Sequence, residues 1–265
     1  MRFVKVLLVL LVVLAAVGGG AVVGMRGSRS RVSGLGELKP GLVGVTNAVG
    51  ISLFAARVAP GPHVIFFDTG LDPEGHPVDA LLAALGAKRD DVSDVFLTHG
   101  HNDHVAGVPL LTKARVHLGA GDTPMATGKQ APAALVPMLM AKAMQARPIT
   151  VSTPITAAGP IALEGVTADA AKTVKAFPVP GHTPGSYVFL FDGVLFAGDI
   201  MTYKQGRLET PPRVFDPNPE ENKAAIRSLK SQLGEEPIDM VCTAHGGCTP
   251  KGLGRNLLDE LISRV

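Results

Sequence analysis

At 265 residues and 46% apolar side chains, the chain is long enough to bury a substantial core in one large or two small domains. Residues 1–31 hold five of the 25 Lys/Arg and no acid, which leaves 20 bases against 23 acids in the remainder. That balance excludes an electrostatic grip on nucleic acid and points to a small-molecule partner, while 31 Gly and 21 Pro announce many turns and short elements.

Arg2 and Lys5 precede Val6 to Met25, a run without a charged residue. Such a run is long enough to cross a bilayer as a helix, whereas the core of a cleaved signal is usually shorter. Gly18-Gly19-Gly20-Ala21 nevertheless offers small residues to a signal peptidase, so residues 1–27 read as a membrane anchor or, second, as a signal segment. Arg26, Arg29 and Arg31 follow the run, and with basic residues on both sides the charge rule leaves its orientation open. Either reading predicts a membrane-anchored or exported protein of a bacterial cell envelope. Residues 28–38, rich in Gly, Ser and Arg, read as a linker, and 39–265 as one domain without internal repeats.

Within that domain, 43–49, 51–58 and 64–67 are short β-rich stretches parted by Gly and Pro, the last closed by Asp68-Thr69-Gly70. A helix over 77–85 with Gly86 as its stop is followed by a buried strand at 94–97, a helix at 105–111 and a strand at 115–118. Residues 124–145, rich in Ala and Met, read as one or two inserted helices, either core packing or a lid whose flexible Met side chains make an adaptable apolar wall. Strands are expected at 161–166, 173–179, 187–191 and 194–196, with Asp192-Gly193 as a two-residue hairpin. An amphipathic helix at 219–233, capped by Asn218 and stopped by Gly234, a strand at 240–243 and a helix at 253–265 complete the chain.

The chemistry sits after the strands. His99-Gly100-His101-Asn102-Asp103-His104 places four potential metal ligands within six residues, and in an extended segment His99 and His101 face the same way and can grip one cation. A turn into helix there frees Asp103 and His104 for a second cation, and imidazole with carboxylate suits Zn, Fe or Mn. Likewise 176–179 leads to His182, 194–196 to Asp199 and 240–242 to His245, so that buried strands deliver ligand types to one edge. Cys242 and Cys248 bracket His245 at equal spacing. A metal reading of that trio is set aside because His245 is already claimed, and a disulfide is left open. His63, His76 and His117 fit no motif and read as surface or structural histidines.

With these residues in hand, residues 40–250 resemble the metallo-β-lactamase fold superfamily of hydrolases. The segment 99–104 is similar to its His-x-His-x-Asp-His signature, Pro180-Gly181-His182-Thr183-Pro184-Gly185-Ser186 to its next histidine motif, Ala197-Gly198-Asp199 to its bridging aspartate and Ala244-His245-Gly246 to its last histidine. The resemblance implies an αββα four-layer sandwich of two mixed sheets flanked by helices, with two Zn2+ per chain, Fe or Mn being alternatives. It implies that His99, His101 and His182 hold one ion, that Asp103, His104 and His245 hold the other, and that Asp199 bridges both. Asp68 fits the superfamily's first aspartate, a residue that orients ligands, with a plain turn-forming Asp as the other reading.

Activation of a water by the ions then implies hydrolysis of a small ester, lactone, thioester or amide, with Asp103 or Asp199 passing the proton to the leaving group. In ligand set the chain is similar to lactonase and glyoxalase II-like members. Asp199 argues against antibiotic hydrolysis, because the β-lactamases of this fold lack an aspartate there. Glyoxalase II carries an appended helical domain for which the 20 residues after His245 are too few. Lactonases place a tyrosine three residues after the bridging Asp. Tyr203 lies four after it, either a substrate contact or plain packing. Two other functions stay open: a persulfide dioxygenase holding one Fe through His99, His101 and His182, and a membrane-tethered metal-binding protein without turnover. Substrate choice is expected in 121–148 and 201–217, and the oligomeric state is not legible.

Overall fold

Alternation along the strands decides the layers. In the computed structural model, which describes residues 30–58, 61–144, 147–163 and 173–265, most strands sort into two large sheets. The first holds β1 (Val32–Lys39), β2 (Leu42–Asn47), β3 (Ser52–Arg57), β4 (Val64–Phe67), β5 (Val92–Leu97), β6 (Arg115–Gly119) and β7 (Thr153–Ile155) in that order. It is antiparallel as far as β4 and parallel beyond it. The second holds β8 (Gly159–Ile161), β9 (Val174–Pro178), β10 (Tyr187–Phe191), β11 (Val194–Gly198), β14 (Met240–Thr243) and β15 (Gly247–Cys248), with only β11 and β14 parallel. Between β11 and β14 in the chain, β12 (Thr202–Lys204) and β13 (Arg207–Glu209) make a separate hairpin.

Side chains two apart share a face. On the first sheet Leu53, Ala55, Phe66, Val95 and Leu97 pack outward with Val78, Leu81 and Leu82 of helix α1 (His76–Ala84). Their neighbours Phe54, Ala56, Phe67 and Phe96 face inward to meet Phe189, Phe191 and Phe196 of the second sheet. The far face of that sheet, including Val188, Leu190, Leu195 and Val241, is covered by two C-terminal helices, 219–233 and 254–264. Helix, sheet, sheet, helix is the four-layer sandwich the resemblance implied.

The central layer is knit by rings, with Phe67 stacked on Phe196 across the sheets at 3.8 Å between centroids. Trimming that ring leaves a gap the rigid sheets fill only in part. Phe67→Leu is therefore expected to lower unfolding free energy by about 1–2 kcal/mol, read as a shifted urea midpoint at unchanged slope.

Several expectations need correction. The stretch read as a linker is instead strand from Val32 onward, paired with β2 through two bulges. The helix expected at 105–111 is a short turn, α2 (Asn102–Val105), followed by a 3-10 turn at Val108–Leu110. Pro109 offers no N–H to an α-helix, and a Cβ on Gly107 would come within 2.8 Å of the Thr69 carbonyl. The inserted helices are α3 (Thr123–Ala126) and α4 (Leu135–Ala143). Helix α5 (Pro219–Leu233) ends at Gly234 as expected, but Asn218 makes no side-chain cap. Helix α6 (Gly254–Arg264) closes the chain. Asp192 and Gly193, with φ of 49° and 74°, form the expected hairpin between β10 and β11. Residues 1–27 and the end of the strand expected at 161–166 lie outside the described residues. Among the described residues no helix is long and apolar enough to cross a membrane.

Candidate metal centre

Every expected ligand leaves the C-terminal end of a strand at one edge of the sandwich. β5 runs into His99, β9 into the His182 loop, β11 into Asp199 and β14 into His245. Their donor atoms fall into two groups, His99, His101 and His182, and Asp103, His104, Asp199 and His245, each within 4.8 Å.

In the first group three ring nitrogens converge: His101 Nδ1 lies 2.9 Å from His99 Nε2 and 3.2 Å from His182 Nε2. Burial pushes all three imidazoles down toward the neutral form, His182 to about 4. His101 Nδ1 carries at most one proton, so hydrogen bonding leaves this trio incompletely satisfied, whereas one cation takes all three lone pairs.

The second group gathers acids against bases. His245 Nε2 lies 3.4 Å from both Asp103 Oδ2 and Asp199 Oδ2, and His104 Nε2 3.4 Å from Asp199 Oδ1. The Asp199 charge lifts His245 to about 10. Burial works against the charge on His104, yet Asp68, Asp199 and Asp103 hold its pKa well above the usual value. Burial also disfavours ionised Asp103, but the charge on His104 and the hydrogen bond and charge of His245 together outweigh it and bring Asp103 to about 2. His104 Nε2 and Asp199 Oδ1 are nevertheless buried without a hydrogen-bond partner, as atoms awaiting a cation would be. Asp199 also reaches the first group, with Oδ2 3.8 Å from His182 Nε2. The nitrogen and oxygen donors fit Zn, Fe or Mn.

Around the ligands a ring of hydrogen bonds fixes their aim. Asp68, in the left-handed region at φ 59°, accepts from Thr98 N, Thr98 Oγ1 and His104 Nδ1, each at 2.8 Å. This favours the orienting role over the plain turn. Asp122, which sequence reasoning missed, accepts from Gly100 N and Gly185 N at 2.8 Å and from Thr183 Oγ1 at 2.6 Å. It ties the His99–His101 turn to the His182 loop, and burial raises its pKa. Asn222 at the start of α5, also missed, donates to the Ile200 carbonyl and to Asp216 beside the Asp199 turn. Neither carries a local sequence signal: Asp122 reads as a loop aspartate, and Asn222 stands among Glu220, Glu221 and Lys223 on an amphipathic helix.

Gly198 has φ 53°, and a Cβ there would meet Thr98 Oγ1 at 2.4 Å, so backbone passes where a side chain cannot. Cys242 and Cys248 stand opposite each other on β14 and β15 and are disulfide-bonded, which closes the hairpin that carries His245 and removes both from the ligand count. His117 is a structural histidine, buried on Phe96 with Nε2 2.8 Å from Asp94, and His76 pairs with Asp72.

Above the ligands lies a cavity of about 450 Å³ walled by Ile51, Leu71, Met140, Met144, Met201 and Phe215, with His101, Asp103, His182, Asp199 and His245 as its floor. Residues of both expected specificity stretches line it, Met140 and Met144 from one and Thr202, Lys204 and Phe215 from the other. Tyr203 does not. Alternation along β12 turns Thr202 and Lys204 to the cavity and packs Tyr203 against the outer core, so the substrate contact expected as one reading of Tyr203 gives way to packing.

A family model described as the metallo-beta-lactamase superfamily matches residues 58–245. A hydroxyacylglutathione hydrolase of Fuscovulum blasticum is 29% identical over 179 residues, 65% of this chain and 54% of that protein. One from Cereibacter sphaeroides is 31% identical at the same coverage. The chain thus spans about half the length of the curated relatives it matches. Among solved structures, the Rm3 metallo-beta-lactamase superposes with a TM-score of 0.61 at 18% identity, covering 91% of this chain and 97% of that one. A metallo-beta-lactamase family protein from Thermus thermophilus gives 0.62 at 23%, covering 86% and 80%. At these identities the structures speak for the fold alone.

Proposed function

The chain belongs to the metallo-beta-lactamase superfamily, and from that membership we propose a dinuclear metal-dependent hydrolase that cleaves a small ester, lactone or thioester. One observation carries the reading: two ligand groups touch through Asp199 on the floor of an apolar cavity. Bound cations at such a site lower the pKa of a water to about 7 and polarise a carbonyl.

The chain's own residues do the rest. Met140, Met144 and Phe215 exclude water and seat the apolar part of the substrate. Asp103, whose carboxylate faces the cavity beside His245, accepts the proton released by the attacking water and returns it to the leaving oxygen or sulfur. Asp68 and Asp122 hold the two ligand loops at working distance. The hydroxyacylglutathione hydrolases among the relatives support a thioester as one member of the substrate class.

Metal analysis of the full-length chain, purified without a His-tag and without added metal, tests this. Two Zn per chain with turnover of a panel of esters, lactones and thioesters is the expected result. One Fe and no Zn, with oxygen uptake on a persulfide, would replace the reading with sulfur oxidation. No metal retained even after loading would defeat both.

A further inference from the structure

Among the described residues large apolar side chains exposed to solvent are few, and they are not scattered. Among the described residues there are six: Val32, Met138, Leu139, Val214, Phe215 and Leu253. Five gather at the metal edge. Met138 and Leu139 lie on α4, whose Met140 faces the cavity, and Val214 and Phe215 follow Pro211 and Pro212, which also line it. Val32 pairs with Asn47 at the base of the turn that supplies Val49 and Ile51 to the same wall.

Around the carboxylates of its floor, the rim of this mouth is rich in cations. Residues 123–163 contain Lys129, Lys142 and Arg147 but no Asp or Glu, and exposed Lys204 and Arg213 stand on the opposite rim. The chain also enters the domain here. The Arg31 carbonyl accepts from Ala48 N at 2.8 Å, on the turn that precedes Val49. The charge-free run ends at Met25, and the residues between it and Arg31 span about 20 Å at most when extended. An apolar rim, a cationic surround and an apolar segment joined at the same rim match what an anionic bilayer surface binds.

We propose that the mouth of the metal cavity docks on an anionic lipid bilayer, with Leu139, Val214 and Phe215 inserted among the acyl chains and Lys142, Arg147, Lys204 and Arg213 against the headgroups. The cavity then opens onto the membrane, and its substrate is an amphiphilic acyl ester or thioester taken from the bilayer. This second step rests on the hydrolase reading given above.

The chain has no Trp, so a single introduced one reports its own surroundings. The full-length protein is reconstituted into vesicles of phosphatidylcholine and phosphatidylglycerol with brominated acyl chains, carrying either Phe215→Trp or Leu253→Trp. Leu253 is 44% exposed at the other end of the sandwich, beside Gly254, which abuts Met240 at the start of β14. Trp at 215 is expected to shift to the blue and lose most of its emission to the bromines, while Trp at 253 does neither. Val214→Trp replaces Phe215→Trp if that variant fails to fold.

Quenching at 253 but not 215, or at neither, would overturn the docking. So would a blue shift at 215 without quenching, the mark of a protein partner or a second copy on the rim. This readout needs no turnover, so it survives failure of the hydrolase reading. If hydrolysis holds, the pair Leu139→Asp and Val214→Asp is expected to leave a water-soluble ester unaffected and slow a vesicle-borne long-chain ester by about tenfold. Equal rates on both would overturn the bilayer as substrate source.

Discussion

Asp199→Ala is expected to reduce bound metal from two ions per chain to one or none and to lower kcat/KM by about 10³-fold or more. The reason is geometric. Among the described residues Asp199 is the one carboxylate that reaches both groups, 3.4 Å from His104 and His245 and 3.8 Å from His182. Removing it takes from His104 the carboxylate nearest its Nε2, leaves His245 with Asp103 alone, and cuts the link between the first trio and the second group. About 10³-fold corresponds to roughly 4 kcal/mol of transition-state stabilisation, a size seen when one preorganised electrostatic partner is lost. Asp199→Asn separates charge from shape, since the amide fills the same space but offers one acceptor instead of two. It is expected to fall nearly as far as Ala. Metal analysis by mass spectrometry and turnover of a chromogenic ester measure both, and a variant that keeps two ions and turnover within tenfold would remove Asp199 from the centre. A matched urea midpoint guards against an unfolding artefact.

How much of this was legible before the structure differs from residue to residue for physical reasons. The ligands were readable because each follows a buried strand, and strand ends at one sheet edge necessarily come together. The layers were only half readable: alternation shows that Phe67 and Phe196 are buried, but not that one lies on the other across the sheets. Asp122 escaped because its partners Thr183 and Gly185 are more than 60 residues away and nothing local distinguishes it from a loop aspartate. Tyr203 was placed by counting from Asp199, which does not show the face of the strand on which it falls. The strand at Val32–Lys39 reads as a linker because Gly and Ser weaken its local β preference, and only pairing with β2 overrides that. Local chemistry is written in the sequence, whereas partners chosen by the fold are not.

Asp68 is where partners chosen by the fold act most directly on the chemistry. Asp68→Ala is expected to destabilise the protein by about 3–5 kcal/mol, because it strands three donors in the interior: Thr98 N, Thr98 Oγ1 and the fully buried His104 Nδ1. Part of that cost belongs to the backbone, since φ of 59° suits Asp or Asn better than Ala. Asp68→Asn removes the backbone term and isolates the site. Its amide has one oxygen for two positions that both need an acceptor. If the oxygen serves Thr98 N, the NH2 faces His104 Nδ1 and forces that ring to accept there, which places its proton on Nε2, the atom aimed at Asp199 and the second group. If the oxygen turns to His104, two N–H groups oppose each other at Thr98. The first arrangement keeps the buried amide paired. Asp68→Asn should therefore recover a large part of the stability lost in Ala while still losing about 10- to 100-fold in affinity at the second metal position, with the first trio unaffected. Thermal unfolding of the metal-free protein and chelator competition of the loaded one read the two effects separately. Full metal affinity in a stable Asn variant would reduce Asp68 to a turn residue; lost affinity with retained stability would show that one hydrogen bond from outside the ligand set keeps the proton of His104 on Nδ1 and leaves Nε2 free for the cation.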